Sequence, residues 1–187
     1  MAIRLNKSSF NLKEKLKQLD FFRLPFQKMP PGSIVQIATA SSGPARQTIA
    51  STNTIPQPIT GLSIGFTPRL ADSKILITTN IVTNRPYVSS FAIYEDGSPT
   101  VDIGSETNLS TTDSNLTLYN GNGTNITSHL HMVPVQVVVP AHGTHTRTYS
   151  SRAISRWQGT SYTLYVNNRA ANDMASFSTM VVYEIAQ

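Results

Sequence analysis

The pair His129 and His131 is the arrangement in this sequence that comes nearest to a metal site. Side chains two residues apart in a β-strand point to the same face of a sheet, so the two imidazoles would lie together. Three copies of the pair around one axis could then bind a metal ion through imidazole nitrogen. The alternative is that both histidines are partly buried, or form a subunit contact where a loop enters a strand. We favour this alternative and expect no metal and no cofactor.

Carboxylates follow one another in the middle of the chain, and paired carboxylates are the groups that hydrolyse glycosidic bonds. Glu95, Asp102 and Glu106 are the candidates for this chemistry. Glu95 is followed by Asp96 and Gly97, which is typical of a hairpin tip, and carboxylates in such loops are usually solvated turn residues. The chain has no cysteine, which excludes thiol catalysis and cysteine-ligated zinc. We therefore expect that the protein is not an enzyme.

Aromatic residues stand beside arginines in the last third of the sequence. The aromatic residues are Tyr149, Trp157 and Tyr165, and the arginines are Arg147, Arg152 and Arg156. Aromatic rings with polar neighbours are the usual material of a sugar-binding surface, because one side of a sugar ring packs on an aromatic face. The alternative is that these residues belong to the core and to subunit contacts. We favour the subunit-contact interpretation.

The positive charge of the chain is confined to its first 28 residues. The net charge is +5, and residues 1–28 hold seven basic and two acidic side chains, so the rest of the chain is neutral. A nucleic-acid-binding domain would spread basic charge over one face of its fold, so we expect no nucleic-acid partner. No run of about 18 apolar residues occurs, and we expect neither membrane insertion nor a secretory signal.

Residues 1–28 form a basic arm that differs from everything after it. Asn11 as N-cap and Glu14 three residues later predict a short helix with an apolar stripe. The stripe and the cluster after it comprise Leu12, Leu16, Leu19, Phe21, Phe22 and Phe26, with Lys13 and Lys17 off the stripe. A helix of this length is marginal alone in water, which favours docking on another surface. The alternative is that it packs back on its own domain. Residues 29–32, Met-Pro-Pro-Gly, form a stiff joint after the arm.

Residues 33–187 have the period-two alternation of β-strands. The clearest strands are predicted over 74–82, 132–139, 162–166 and 176–185, and weaker ones over 33–38, 59–67, 91–95, 115–119 and 146–155. Turn-forming residues separate them. This pattern predicts an all-β protein, an antiparallel β-sandwich of jelly-roll type that follows a helical or extended N-terminal arm.

The composition favours a protein that associates with copies of itself. Only 13% of the 187 residues are charged, against about 25% in an average soluble protein. Serine and threonine, 21 and 22 residues, suit β-strands but bury little apolar area. Because so few charges give little electrostatic repulsion between copies, we predict a homotrimer about an axis parallel to the sandwich.

Three blocks of sequence resemble a β-domain of tailed-bacteriophage proteins. The blocks are residues 29–37 (MPPGSIVQI), 60–68 (TGLSIGFTP) and 73–77 (SKILI), and the tract 178–186 (STMVVYEIA) is similar to the closing strand of that domain. The resemblance, over residues 29–187, is to the C-terminal β-domain of tail-fibre and virion appendage proteins of marine, cyanophage-like bacteriophages. It implies a β-sandwich, a homotrimer and no enzymatic activity.

The sequence therefore predicts a virion structural protein. In this hypothesis it is a short fibre or capsid decoration protein, made in the host cytoplasm and located on the virion surface. Residues 1–28 would dock on capsid, neck or tail proteins, and the trimeric sandwich would be displayed. The alternative is a receptor-binding tail-fibre tip that recognises a host surface polysaccharide through its loops.

Overall fold

The computed structural model describes residues 29–50, 56–85, 88–100, 116–119, 126–157, 160–161, 163–169, 171 and 173–187. The predicted arm, residues 1–28, lies outside them. The described residues form strands and no helix, and none of their segments qualifies as a membrane-spanning helix. The strands are β1 (Ile34–Ser41), β2 (Gln47–Ile49), β3 (Gln57–Phe66), β4 (Lys74–Arg85), β5 (Val88–Glu95), β6 (Ser98–Pro99), β7 (Leu116–Tyr119), β8 (Ile126–Pro140), β9 (Arg147–Ile154), β10 (Arg156–Trp157), β11 (Thr160–Ser161), β12 (Leu164–Val166) and β13 (Thr179–Ile185).

The first sheet is four strands wide. β13 pairs with β1 on one side and with β4 on the other, and β8 covers the far side of β4. β12 continues the line of β13 along β4, and β2 pairs with β12. β1 and β2 together therefore occupy the place of the first strand of the fold, and β12 and β13 together occupy the place of the last strand.

The second sheet is also four strands wide and wholly antiparallel. β9 lies between β3 and β5, and both β6 and β7 pair with the far edge of β5. Counted in chain order, the eight strand positions are β1 with β2, β3, β4, β5, β6 with β7, β8, β9, and β12 with β13. The first sheet then has the order one–eight–three–six, and the second has the order two–seven–four–five. This is the strand order of a jelly roll, and it confirms the predicted fold class. β10 and β11 form a separate hairpin.

The core lies between the two sheets. Alternate residues point inward, so Ile77, Val135 and Val182 from the first sheet face Phe91 and Ile93 from the second, and all five are buried. Every strand predicted from the period-two pattern is present, and the bounds agree within a few residues except for β8, which begins at Ile126 and not at the predicted residue 132. β2, β6, β10 and β11 were not predicted, because two or three residues are too short to show a period.

The joint between arm and body is bound to the end of the first sheet. Gly32 N donates to Ala186 O at 2.8 Å, and Ala186 N donates to Ser33 O at 2.9 Å. Gly32 has φ of +84°, a left-handed conformation that glycine adopts without strain. Met29 packs against a small cluster that includes Val35. The arm therefore leaves the body at the end of β1 and β13.

Candidate functional site

The predicted histidine pair lies on β8, in the first sheet. His129 is exposed and His131 is partly buried, and His131 pairs with Thr83 of β4. The pairing register of β8 shifts between Ile126 and His131, so that the two histidines share one face stays a prediction. Within the described part of the chain, no group of three or more histidine, aspartate or glutamate side chains could hold a metal ion. A site made by several copies of the chain stays a prediction.

Tyr149 does not belong to a surface, and the prediction of a glycan or subunit contact at this residue is wrong. Its side chain has no exposed area and lies between the sheets, with its ring centroid 6.5 Å from that of Phe66. Burial raises the pKa of the Tyr149 phenol, and the nearby Glu95 carboxylate raises it further. The alternation of β9 turns Tyr149 inward, whereas its aromatic type alone had suggested either location.

Glu95 and Arg147 form a structural ion pair beside this ring. Arg147 Nε lies 3.1 Å from Glu95 Oε1 and donates to His145 Nε2 at 3.0 Å, and the arginine side chain is only 3% exposed. Asp96, in a left-handed conformation, accepts a hydrogen bond from Thr148 N at 2.7 Å. These contacts tie the β5–β6 hairpin tip to β9. Glu95 and Asp96 therefore stabilise the fold at this hairpin. The other predicted carboxylates, Asp102 and Glu106, lie outside the described residues.

Residues 61–65 match the G-x-S-x-G spacing of a serine-hydrolase nucleophile elbow. An elbow requires a sharp turn between a strand and a helix, which lifts the serine above the sheet. Ser63 instead lies inside β3 and pairs with Ser150 of β9. The spacing therefore does not form an elbow here.

Tyr165 lies next to a shallow cleft that has the residue types of a ligand site. The Arg46 guanidinium carbon is 5.1 Å from the centroid of the partly buried Tyr165 ring. The cleft has a volume of about 360 Å³, and its lining residues are Gly43, Ala45, Arg46, Gln47, Thr48, Thr60 and Asn167. Gln47 is fixed, because its amide donates to Pro58 O at 2.7 Å and accepts from Thr60 N at 2.8 Å. An arginine, an amide and a ring can bind a polar or acidic sugar.

Sequence reasoning missed Arg46, since it lies more than 100 residues before Tyr165 and only the pairing of β2 with β12 brings them together. Trp157 belongs to β10, but its side chain is not among those described. The predicted anchoring residues also lie outside the described part of the chain: Leu12, Leu16, Leu19, Phe21, Phe22, Phe26, Lys13 and Lys17.

No protein-family model matches the sequence, and no curated protein matches it. Among solved structures, the chain is similar to that of T=1 particles derived from infectious bursal virus, with 14% identity and a TM-score of 0.38. It is also similar to the VP2 subviral particle of infectious bursal disease virus, with 16% identity and a TM-score of 0.38. The matches cover 83% and 81% of this chain but only 37% and 38% of those chains. Such scores do not establish a shared fold, so the jelly roll is assigned from strand order alone.

Proposed function

We propose that this chain is a structural protein of a bacteriophage virion, a short fibre or decoration protein. Residues 1–28 anchor it to the capsid, neck or tail, and a homotrimeric jelly roll is displayed at the virion surface. The sequence resemblance over residues 29–187 supports a location in the virion and a homotrimeric state. The jelly roll is a fold that can serve as a rigid, displayed body.

The observation that carries the proposal is the way in which arm and body are joined. All of the net charge, +5, lies in residues 1–28, and the neutral body begins at a joint fixed to the end of β13 by the Gly32–Ala186 hydrogen bond. A basic, leucine- and phenylalanine-bearing arm at one pole suits docking by apolar anchors on an acidic shell. The opposite pole of the body is then free to project.

Electron cryo-microscopy of intact particles tests the proposal. We expect trimers on the head lattice, neck or tail, with residues 1–28 buried in the neighbouring virion protein. Particles that contain no copy of the chain would contradict the virion role. Copies attached through the jelly roll, with the arm exposed, would contradict the anchoring role of the arm.

The cleft beside Tyr165 favours a second candidate function, a receptor-binding tip that recognises host polysaccharide. Under this alternative, Arg46→Ala should reduce adsorption of particles to host cells at least about tenfold, because a charge-assisted contact to the sugar is lost. Ser63→Ala, a change on an exposed position of the second sheet, is the matched control. Equal adsorption of both variants would remove this cleft as the receptor site.

A further inference from the structure

The outer face of the first sheet carries an unbroken row of apolar side chains. Ile37 pairs with Tyr183, Tyr183 with Leu76, and Leu76 with Val138, so the row crosses β1, β13, β4 and β8. The ends of the row are the most open, since Ile37 is 54% exposed and Val138 is 53% exposed. Directly paired residues of an antiparallel sheet lie on the same face. We call this surface the apolar outer face.

One further apolar pair adjoins this row, and another lies at the far end of the sheet. Ile34 pairs with Ile185 at one end, and Val82 pairs with Met132, which is 68% exposed, at the other. From strand spacing and rise, the face measures about 14 Å by 26 Å between its outermost Cα atoms. Polar pairs such as Thr78–Gln136 and Ser41–Thr179 lie between these two ends, so the face is contiguously apolar only around its Ile37–Val138 row. Exposed apolar side chains that are grouped on one face mark an interaction site.

The second sheet is different, which makes the choice of face specific. Ser63 pairs with Ser150 on its outer side, and Arg152 lies over the Tyr94 ring, with 4.2 Å between the guanidinium carbon and the ring centroid. Tyr94 is only 4% exposed and Ala92, which pairs with Arg152, is 2% exposed, so this side of β5 is covered. Among the side chains that the structure describes, the large apolar ones of strands that are exposed lie on β1 and β8 of the first sheet, and none lies on the second.

We infer that the apolar outer face is where copies of this chain contact one another. Among the described outward positions of β1, β13, β4 and β8, Lys74 at the margin carries the only charge. The body itself has as many acidic as basic side chains. Copies can thus bring these faces together without electrostatic repulsion, and the face offers no charge pattern that would select a charged partner.

The β8 edge of the same sheet is poorly suited to association by strand addition. β8 is the outermost strand and contains Pro134 and ends at Pro140. Proline has no backbone N–H and blocks pairing with a further strand. Strand addition at this edge is therefore disfavoured.

The position of the joint fits this arrangement. Met29 and the Gly32–Ala186 hydrogen bond lie at the end of the face marked by Ile34 and Ile185. Copies that turn this face to a common axis bring their arms together at one pole. The inference rests on the self-association in the proposed function and adds which surface makes it; the arrangement would present several arms to one docking surface, which raises avidity.

Sedimentation of the 187-residue chain at micromolar concentration tests the inference. We expect wild type to be an oligomer, and Val138→Lys to weaken association by a factor of at least about ten, because a lysine would have to be buried unpaired. Ser63→Lys places the same charge on an exposed strand position of the second sheet and should leave the oligomer intact. Circular dichroism and thermal unfolding show whether each variant is folded.

The outcomes separate the inference from the function. If the Val138→Lys variant remains an oligomer, or if Ser63→Lys dissociates the oligomer equally, the apolar outer face is not the contact between copies. The proposed virion role is unaffected by either result. If Leu16→Lys alone dissociates it, the arm holds the copies together and the face does not. If the wild-type protein is a monomer, both the contact through the apolar outer face and the homotrimer are refuted. Electron cryo-microscopy of intact particles then still tests virion attachment.

A second measurement covers the case in which Val138→Lys does not fold. The chain has no cysteine, so Val138→Cys and Ser63→Cys each give a single site for a spin label. Electron paramagnetic resonance of the oligomer should give shorter distances between copies for position 138 than for position 63. The reverse order would overturn the inference.

Discussion

Glu184 Oε1 accepts a hydrogen bond from the backbone N–H of Leu70 at 2.7 Å, at a position where the carboxylate has no exposed area. The same carboxylate accepts from Arg69 N, from the Ser73 hydroxyl at 2.9 Å and from Gln36 Nε2 at 2.7 Å. A buried carboxylate is tolerated when donors surround it in this way. Glu184 thus fixes the turn between β3 and β4 to β13, at the pole where the arm leaves.

We expect Glu184→Ala to lower the free energy of unfolding by about 3–5 kcal/mol, because several buried donors lose their acceptor. Glu184→Gln keeps one carbonyl oxygen and should cost less, about 1–3 kcal/mol. Urea denaturation at one fixed protein concentration measures both. Equal losses for the two variants would show that the hydrogen bonds are not what this side chain contributes.

Gly61 is required by both its conformation and its surroundings. It has φ of +83°, and a Cβ there would lie 2.9 Å from Ser42 Cα and 3.0 Å from Ser41 O. Gly61→Ala should therefore destabilise the body by about 2–4 kcal/mol, since backbone must move to admit the methyl group. Gly65, on the same strand, has open space around such a Cβ. Gly65→Ala should change stability by less than about 1 kcal/mol, and thermal unfolding of the pair compares them.

The buried phenol of Tyr149 predicts a loss of stability in alkali. Its pKa is raised above the ordinary value of 10.0, so the folded chain retains a proton that the unfolded chain releases. The contribution of the protonated phenol to the free energy of unfolding is fully present below pH 10, and it is lost as the pH rises through the raised pKa of the folded state. Tyr149→Phe should make the decline shallower above pH 10. Urea midpoints of both proteins between pH 8 and 11 measure this, and parallel curves would contradict it.

The apolar stripe predicted in the arm gives a test that leaves the body unchanged. Leu16→Glu combined with Phe22→Glu should reduce the number of copies per particle at least about tenfold, because apolar anchors are lost. Gln18→Glu adds a negative charge between them, off the stripe, and should have a much smaller effect. Quantitative mass spectrometry of purified particles counts the copies. Equal occupancy for all variants would exclude anchoring by the stripe.

The predicted strands show how much of the fold was accessible from the residues. Alternation over 74–82 and 176–185 located β4 and β13, because a strand with one buried face must repeat with period two. The same rule did not separate Tyr149 from Tyr165, since a tyrosine suits a core and a surface equally well. Arg46 and Glu184 had no local signal at all, because their partners come from distant parts of the chain.

By itself, the sequence determined the fold class, the division of charge between arm and body, and the absence of cysteine chemistry, because these depend on local periodicity and composition. Tertiary structure decided which apolar residues share a surface. Ile37, Leu76, Val138 and Tyr183 are far apart in the chain, and each looks like an ordinary strand residue. Only the register of four paired strands aligns them into one row, and pairing register depends on packing of the whole core.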